Sequence, residues 1–580
     1  MRTSILALAL FAALAGRAEA APTFAVYPSP HAHFAAPATQ ISFRGGPPAQ
    51  IGSIRVTGSR SGRHAGRLLA HSDGRGASFV PAKPFTPGER VTVRTHDRIV
   101  GARQGDYGFT VGVPAPPPGP TSFHVQRGRL QSFASRPDLH PPAVLVTTHA
   151  AGLAPGLLFA APKGGSADAG PMIFDDTGRL VWYHPVPGKD IAMDFRAQRY
   201  RGKPVLTWWQ GHVYLGDGTG HGEIWDSAYR PVAKVNASGG LAFDLHEFTI
   251  TPRDTALITV YQRDRVDLRR YGGPRRGVVV DGIVQEIDIK TGLLLFEWHS
   301  VDHVPPTDSY VPAAATPQWD FFHINGIDED RDGNLIVSAR NTWTIYKVDK
   351  ATGNTIWRLG GKRSTFKLGP GVQTAWQHNP RVEPDGTLTI FDNAASGQGK
   401  PFRKHSRAIT VRLDTTANTA TLVSAFVDPK GLSAPSQGDV QRLANGDDFV
   451  GYGAWPDFAE FSPTGQVLLY GRLSVDNASY RIFRFPWSGR PVVPPRARAS
   501  RSGTAVKVSG SWNGATGVAS WQLLAGPGAR GMQPVASAPA AGFETTLTAA
   551  VGQPYVAMRA LDAAGSIMGT SAPVKVPPAT

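Results

Sequence analysis

Short apolar–polar alternations run through most of the chain and are cut at intervals by Gly-containing turns. The pattern is clearest between residues 320 and 393. There the run LIVSAR follows an Asp332-Gly333 turn, IYKVD and NTIWRL flank a Thr-Gly turn, and LTIFDN follows Asp385-Gly386. Period-two runs bounded by Asp-Gly and Thr-Gly turns predict β-hairpins, and no helical period competes with them. The same unit recurs upstream and downstream in PMIFDDTGRLVWYHPV, HEFTITPRDTALITVY, IVQEIDIKTGLLLFEWHS, VQRLANGDDFVGYG and FAEFSPTGQVLLYGRL. Two such hairpins make a four-stranded sheet, the blade of a β-propeller. At about 40–50 residues per blade and with insertions between repeat units, the ~370-residue span of these repeats fits about six blades. The reading is an all-β chain with a six-bladed β-propeller over residues 122–489.

Two flanking regions show the alternation without the repeat. Residues 22–113 carry ISFRG, SIRVTG, ERVTVRT and YGFTVGV, spaced as in an immunoglobulin-like sandwich, and VPAPPPGPT follows as a stiff linker. Residues 492–580 carry AVKVSGSW, VASWQLLAG and QPYVAMRALD and resemble a fibronectin type III-like sandwich.

Composition adds three constraints. Glycine (65) and proline (49) are abundant enough to punctuate many short strands, and 41% hydrophobic residues suffice for packed cores. There is no cysteine, which removes disulfides, thiolate metal sites and thiol nucleophiles. The net charge of +16 comes from scattered basic residues, without the patch or signature of a nucleic-acid binder. Such a surface attracts anionic substrates.

Residues 1–20, MRTSILALALFAALAGRAEA, have a basic start, an apolar core from Ile5 to Leu14 and the small-residue site Ala18-Glu19-Ala20. This is the form of a secretory signal peptide, too short in its apolar run to span a bilayer. The expected product is secreted, periplasmic or at the cell surface, with no membrane span after cleavage; oligomeric state is not legible.

Three histidines enter hairpins at equivalent points: His246 in DLHEF, His323 in FFHING and His378 in WQHNP. In a propeller the innermost strands line a central channel, so these side chains should converge. Asn325 lies two residues beyond His323, on the same face if the strand is extended. Arg340, ending LIVSAR, can reach the same space, with Arg358 in WRLGG as an alternative. The histidines admit three readings: polar plugs of the channel, a zinc site, or groups carrying chemistry. No His-x-His or His-Glu-x-x-His spacing supports a metal, and a metal-dependent lyase or hydrolase is the weakest of these readings. The segment DEDRDGN starts like a calcium loop but has Ala339 where the twelfth-position Glu belongs. GGKRS lacks the earlier glycine of a P-loop, and no G-x-S-x-G elbow occurs. Trp208, Trp209, Phe322 and Trp455 are candidates for a channel rim, or for core.

The phrases SRPDLHPP, DLHEFTITPRDTALITVY, DFFHINGIDEDRDGNLIVSAR, WQHNPRVEPDGTLTIFDN and GDVQRLANGDDFVGYG occur in the order found in arylsulfotransferases. Residues 125–487 thus resemble the arylsulfotransferase (aryl-sulfate sulfotransferase) family. The resemblance implies a PAPS-independent transfer of a sulfuryl group from an aryl sulfate to a phenolic acceptor, through a sulfohistidine, without cofactor or metal. It further implies His378 as nucleophile and His246 as acid/base, with His323, Arg340 and the substrate-binding Asn325 around the sulfuryl oxygens. The family's best-described periplasmic members carry a cysteine pair, which this chain lacks. The alternative is a non-catalytic exported propeller that binds a sulfated or anionic ligand.

Overall fold

The computed structural model describes residues 22–102, 105–121, 129–163, 169–397, 399–474, 477–502 and 505–578. The leader read at residues 1–20 lies outside them. Half of the chain is strand and 2% is helix, which establishes the all-β class. Among the described residues, no helix is long and apolar enough to cross a membrane.

The hairpins form where the turns place them. Gly333 and Gly386 have φ of 79° and 81°, a conformation that a residue with a Cβ adopts only at a cost, so these positions reverse the chain. Leu335–Ala339 and Leu388–Asp392 are covered on both faces, as inner members of stacked sheets require.

Among the described residues, the antiparallel strands of the central region group into six units of four, each with one inner strand; Val144–His149, Lys367–Leu368 and Trp319–Asp320 each add a short strand to one unit. We label the inner strands β1 (Ile191–Tyr200), β2 (Phe243–Ile250), β3 (Ile324–Glu329), β4 (His378–Val382), β5 (Asp439–Arg442) and β6 (Ala478–Phe485). Each of β1–β5 is followed by strands that build outward, whereas β6 completes a unit begun far earlier by Leu157–Lys163, Met172–Phe174 and Leu180–Tyr183. The units of β1 and β2 merge into one sheet through a single bridge, Gly220 to Phe243. Successive inner strands touch from β1 to β6, and β6 touches β1, so they close a ring.

Charged residues hold this ring from inside. Asp194 and Arg196 (β1), Glu247 (β2), Arg381 (β4) and Arg481 (β6) form one buried network. Arg481 reaches Asp194 at 2.9 Å and Glu247 at 3.2 Å, Arg381 reaches Glu247 at 2.8 Å, and Arg196 bonds to both carboxylates. Burial opposes ionisation of Glu247, but Arg381, Arg481 and Arg196 outweigh it and hold its pKa well below the ordinary value. Around this polar centre the sheets pack apolar faces, with Trp208, Trp209 and Phe322 fully buried as core. Trp455 is 43% exposed and donates its indole N–H to Ser433 O.

Two smaller pairs of sheets flank the ring, each with its own core. Phe24, Ile41, Phe43, Val91 and Phe109 fill the first; Val506, Val508, Trp521, Leu523 and Met558 fill the second. The first pair is tied to the ring by Ser42 Oγ–Leu294 O (2.7 Å) and Ser72 N–Asp288 Oδ2 (2.8 Å). The second is tied by Asn513, which exchanges two hydrogen bonds with the Tyr183 backbone.

Removing one member of a buried ion network leaves its partners charged and uncompensated. Glu247→Gln is expected to destabilise the protein by about 3–5 kcal/mol in chemical denaturation. Asp267→Asn, at the exposed Asp267–Arg269 pair, should leave the midpoint in place. An unmoved midpoint for Glu247→Gln would remove the network from the account of the ring.

Candidate functional site

The ring places the three histidines at one end of its interior. The imidazoles of His246 and His323 are 5.0 Å apart, edge to face, and Tyr261 and Tyr480 each lie 5.6 Å from His246. His378 sits close enough that the positive charges of Arg340, His246 and His323 all bear on its titration. His246 and His378 are almost wholly buried, while His323 keeps some exposure at the open side, near Gly216.

The histidines differ in what their Nδ1 atoms meet. His246 Nδ1 lies 2.7 Å from Asp244 Oδ2, and His323 Nδ1 lies 2.5 Å from Asp320 Oδ2. His378 Nδ1 instead faces a neutral amide, Asn393 Oδ1, at 2.7 Å, with Trp376 O at 3.0 Å. Asn393 Nδ2 donates to the carbonyls of Ala434 (3.0 Å) and Gln437 (2.9 Å), which fixes the amide with its oxygen toward the ring. The hydrogen of His378 is therefore on Nδ1, and its Nε2 lone pair points away, where it accepts the Gln437 backbone N–H at 3.1 Å.

The electrostatics follow this division in part. Burial first, then Arg340, lowers the His378 pKa well below the ordinary value, against the opposing Asn393 contact. Burial also lowers that of His323, although Asp320 pulls the other way. Burial would raise Asp244, but His246 and the surrounding backbone N–H groups outweigh it and leave it lowered.

Arg340 spans the site without an ion pair among the described residues. Its guanidinium donates to Asn341 Oδ1 (3.1 Å) and Pro435 O (3.1 Å) and lies 4.9 Å over the Trp376 ring. Burial brings its pKa down to about 10. Arg358 belongs to the outermost strand of its unit and lies in the field of Asp308, away from the histidines.

The relation expected between His323 and Asn325 is corrected by the backbone. His323 has φ of 53° and stands just before β3, so the two side chains do not share the face of one extended strand. Asn325 is fully buried and its Nδ2 donates to Gln377 O at 2.7 Å, next to His378. Trp376, Asn379 and Gln437 share the left-handed conformation, with φ of 60°, 51° and 66°. Non-glycine residues held there concentrate at functional sites, where the surrounding structure sustains the strain. The DEDRDGN segment closes on a lysine: Lys347 Nζ is 2.6 Å from both Asp330 and Asp332.

Sequence reasoning missed the histidines' partners. Asp244 and Asp320 carried a faint signal, since each precedes its histidine by two or three positions. Asn393, Gln437 and Lys163 carried none: they meet the site only through the closed ring. Lys163, at the end of Leu157–Lys163, is buried and donates to Gln437 Oε1 at 2.5 Å.

Residues 196–473 match the family model for arylsulfotransferases (ASST). That segment belongs to the arylsulfotransferase family. The family segment contains all three histidines, Arg340 and Asn325, and it excludes Lys163, Tyr480 and Arg481. Comparison with curated proteins gives no match. Among solved structures, the chain is similar to a protein of unknown function from Bacteroides caccae, at 13% identity over 57% of this chain and 98% of that one (TM-score 0.34). A streptogramin B lyase shows 11% identity over 56% and 80% (TM-score 0.26). An auxiliary nutrient binding protein from Bacteroides thetaiotaomicron shows 13% over 80% and 91% (TM-score 0.29). Likenesses at these TM-scores carry no argument about activity.

The surroundings of His378 predict a specific titration. His378 should remain neutral through the pH range in which a free imidazole titrates, with Nε2 showing a pyridine-like nitrogen shift in histidine-detected NMR. Because its folded pKa lies below the unfolded one, it binds fewer protons than the unfolded chain in acid and costs stability as pH falls below about 6.5. A pyrrole-like Nε2 at neutral pH would overturn the assigned tautomer.

Proposed function

We propose that this protein is a secreted, PAPS-independent aryl-sulfate sulfotransferase that works through a sulfohistidine on His378. The observation that carries the reading is the difference among the Nδ1 partners. A carboxylate beside Nδ1, as Asp244 is at His246, suits an acid/base partner. A neutral amide in a buried, cation-flanked setting keeps His378 unprotonated, as a nitrogen nucleophile requires.

In the first step His378 Nε2 gives up the Gln437 N–H and attacks sulfur. The N–S bond forms, the S–O(aryl) bond breaks, and the leaving phenolate takes a proton from His246. In the second step His246 takes the acceptor phenol's proton, the phenol oxygen bonds to sulfur, and the N–S bond breaks to restore neutral His378. Arg340 and His323 stabilise the charge spread over the sulfuryl oxygens. Asn325 acts at one remove by fixing the Gln377 carbonyl beside the nucleophile.

The same proposal takes the central units as the six blades of a propeller over 122–489. It takes residues 22–113 and 492–580 as immunoglobulin-like and fibronectin type III-like sandwiches, and residues 1–20 as the export signal. The cyclic contacts of β1–β6 and the two separate flanking cores support this division.

One observation favours the second reading, a non-catalytic receptor for a sulfated or anionic ligand: His378 Nε2 already holds a hydrogen bond to Gln437. The two readings part in intact-protein mass spectrometry after brief exposure to nitrophenyl sulfate without acceptor. The enzyme gains the mass of one SO₃ group on His378; the receptor gains nothing. With a phenolic acceptor, nitrophenol release is expected to vanish in His378→Ala and to fall about 10²–10⁴-fold in His246→Gln.

A further inference from the structure

Lys163 is a charged-type side chain in a buried position. Its residue is 5% exposed, and among the described residues it forms no ion pair. Nζ donates to Gln437 Oε1 at 2.5 Å and sits 5.9 Å from the centre of the Tyr480 ring. Both contacts lead to the histidines: the backbone N–H of Gln437 caps His378 Nε2, and Tyr480 packs against His246. Lys163 therefore meets, through the Gln437 side chain, the residue whose backbone N–H covers the nucleophilic nitrogen. Arg340 reaches the same loop at Pro435 O.

A buried amine without a carboxylate is held there at a cost. Burial brings its pKa down to about 7, so near neutrality the resting site holds the amine partly uncharged. A sulfate monoanion brings the missing counter-charge with it. Among the described residues, the groups that face Lys163 are Gln437 from the loop and Tyr480 from β6. Arg481, next to Tyr480, is committed to Asp194 and Glu247 on the network side. Beyond Gln437 and Tyr480 lie His378, held neutral, and His246, paired with Asp244.

We propose that Lys163 is a second cation of the sulfuryl-binding site, taking up a proton as an arylsulfo anion binds and pairing with it opposite Arg340. This rests on reading the site as one for aryl sulfates, and it assigns a binding role to a residue outside the family segment.

Benzenesulfonate is a suitable probe, with the three sulfuryl oxygens and a C–S bond that this chemistry does not transfer. Calorimetry in two buffers of different ionisation heat should show about one proton taken up on binding at pH ~8 and almost none at pH ~6. The wild-type Kd should weaken about tenfold between those pH values, as an amine titrating near 7 loses its charge. Lys163→Met should bind weakly at both pH values with no uptake. Lys163→Arg, whose charge is permanent, should bind without the pH slope. Circular dichroism checks the fold of each variant, and Lys163→Gln, which keeps a donor for Gln437, replaces any that unfolds. Wild-type binding without proton uptake at the higher pH overturns the proposal, as does an unchanged slope in the folded variants; in either case the aryl-sulfate reading stands. If benzenesulfonate does not bind and nitrophenyl sulfate is not turned over, the aryl-sulfate reading fails, and the role of Lys163 falls with it.

Discussion

Everything in the central ring depends on the ion network of Asp194, Glu247, Arg196, Arg381 and Arg481. Sheets packed side by side by apolar contacts alone are free to slide and tilt, because such contacts have no direction. Charge-assisted hydrogen bonds have direction and length. Arg481 binds carboxylates from β1 and β2, and Arg381 binds Glu247 across from β4, so four inner strands are fixed relative to one another. Burying five charges is expensive, and a well-packed apolar plug of the same volume would often be as stable or more so. What the network provides is position. His246 precedes Glu247 and His378 lies three residues before Arg381, so two of the strands that the arginines lock carry imidazoles, while His323 stands just before β3.

The site on those strands is a study in how one residue type is given different characters. Three imidazoles share a small buried volume beside Arg340, yet their Nδ1 partners are a carboxylate, a carboxylate and an amide. The amide is itself oriented by two backbone carbonyls, so the tautomer of His378 is set by main-chain geometry two hydrogen bonds away. The left-handed conformations of His323, Trp376, Asn379 and Gln437 show that this arrangement is imposed on the backbone by its surroundings.

The parts of this that were legible in the sequence are those encoded locally. Asp-Gly turns such as Asp332-Gly333 mark hairpins because a turn needs only neighbouring residues, and a repeated hairpin with a histidine at its start implies convergence. His246, His323 and Arg340 could be picked out that way. Asn325 was misjudged in its facing, because the left-handed turn at His323 leaves no trace in a pattern of apolar and polar letters. Asn393 and the Gln437 amide were invisible because their importance lies in contacts closed across units. The burial of Arg381 and Arg481 was not marked locally either, since burial of a paired charge is decided by partners far away in the chain.

The ring is latched by β6, a strand from the end of the central region pairing with one from its start, and Lys163 is the residue where that pairing ends, opposite Ala478. Tyr480 and Arg481 come with the same late strand. A chain synthesised only as far as residue 473 already holds every histidine, yet it lacks both the last clamp of the charge network and the wall against which Lys163 rests. Assembly of the chemical centre is thereby made contingent on completion of the fold. Closing so distant a pair is slow, because a long stretch of chain must be brought end to end before any contact rewards it. During that interval the open ring exposes uncompensated arginines and carboxylates to water instead of presenting a half-built site to substrate.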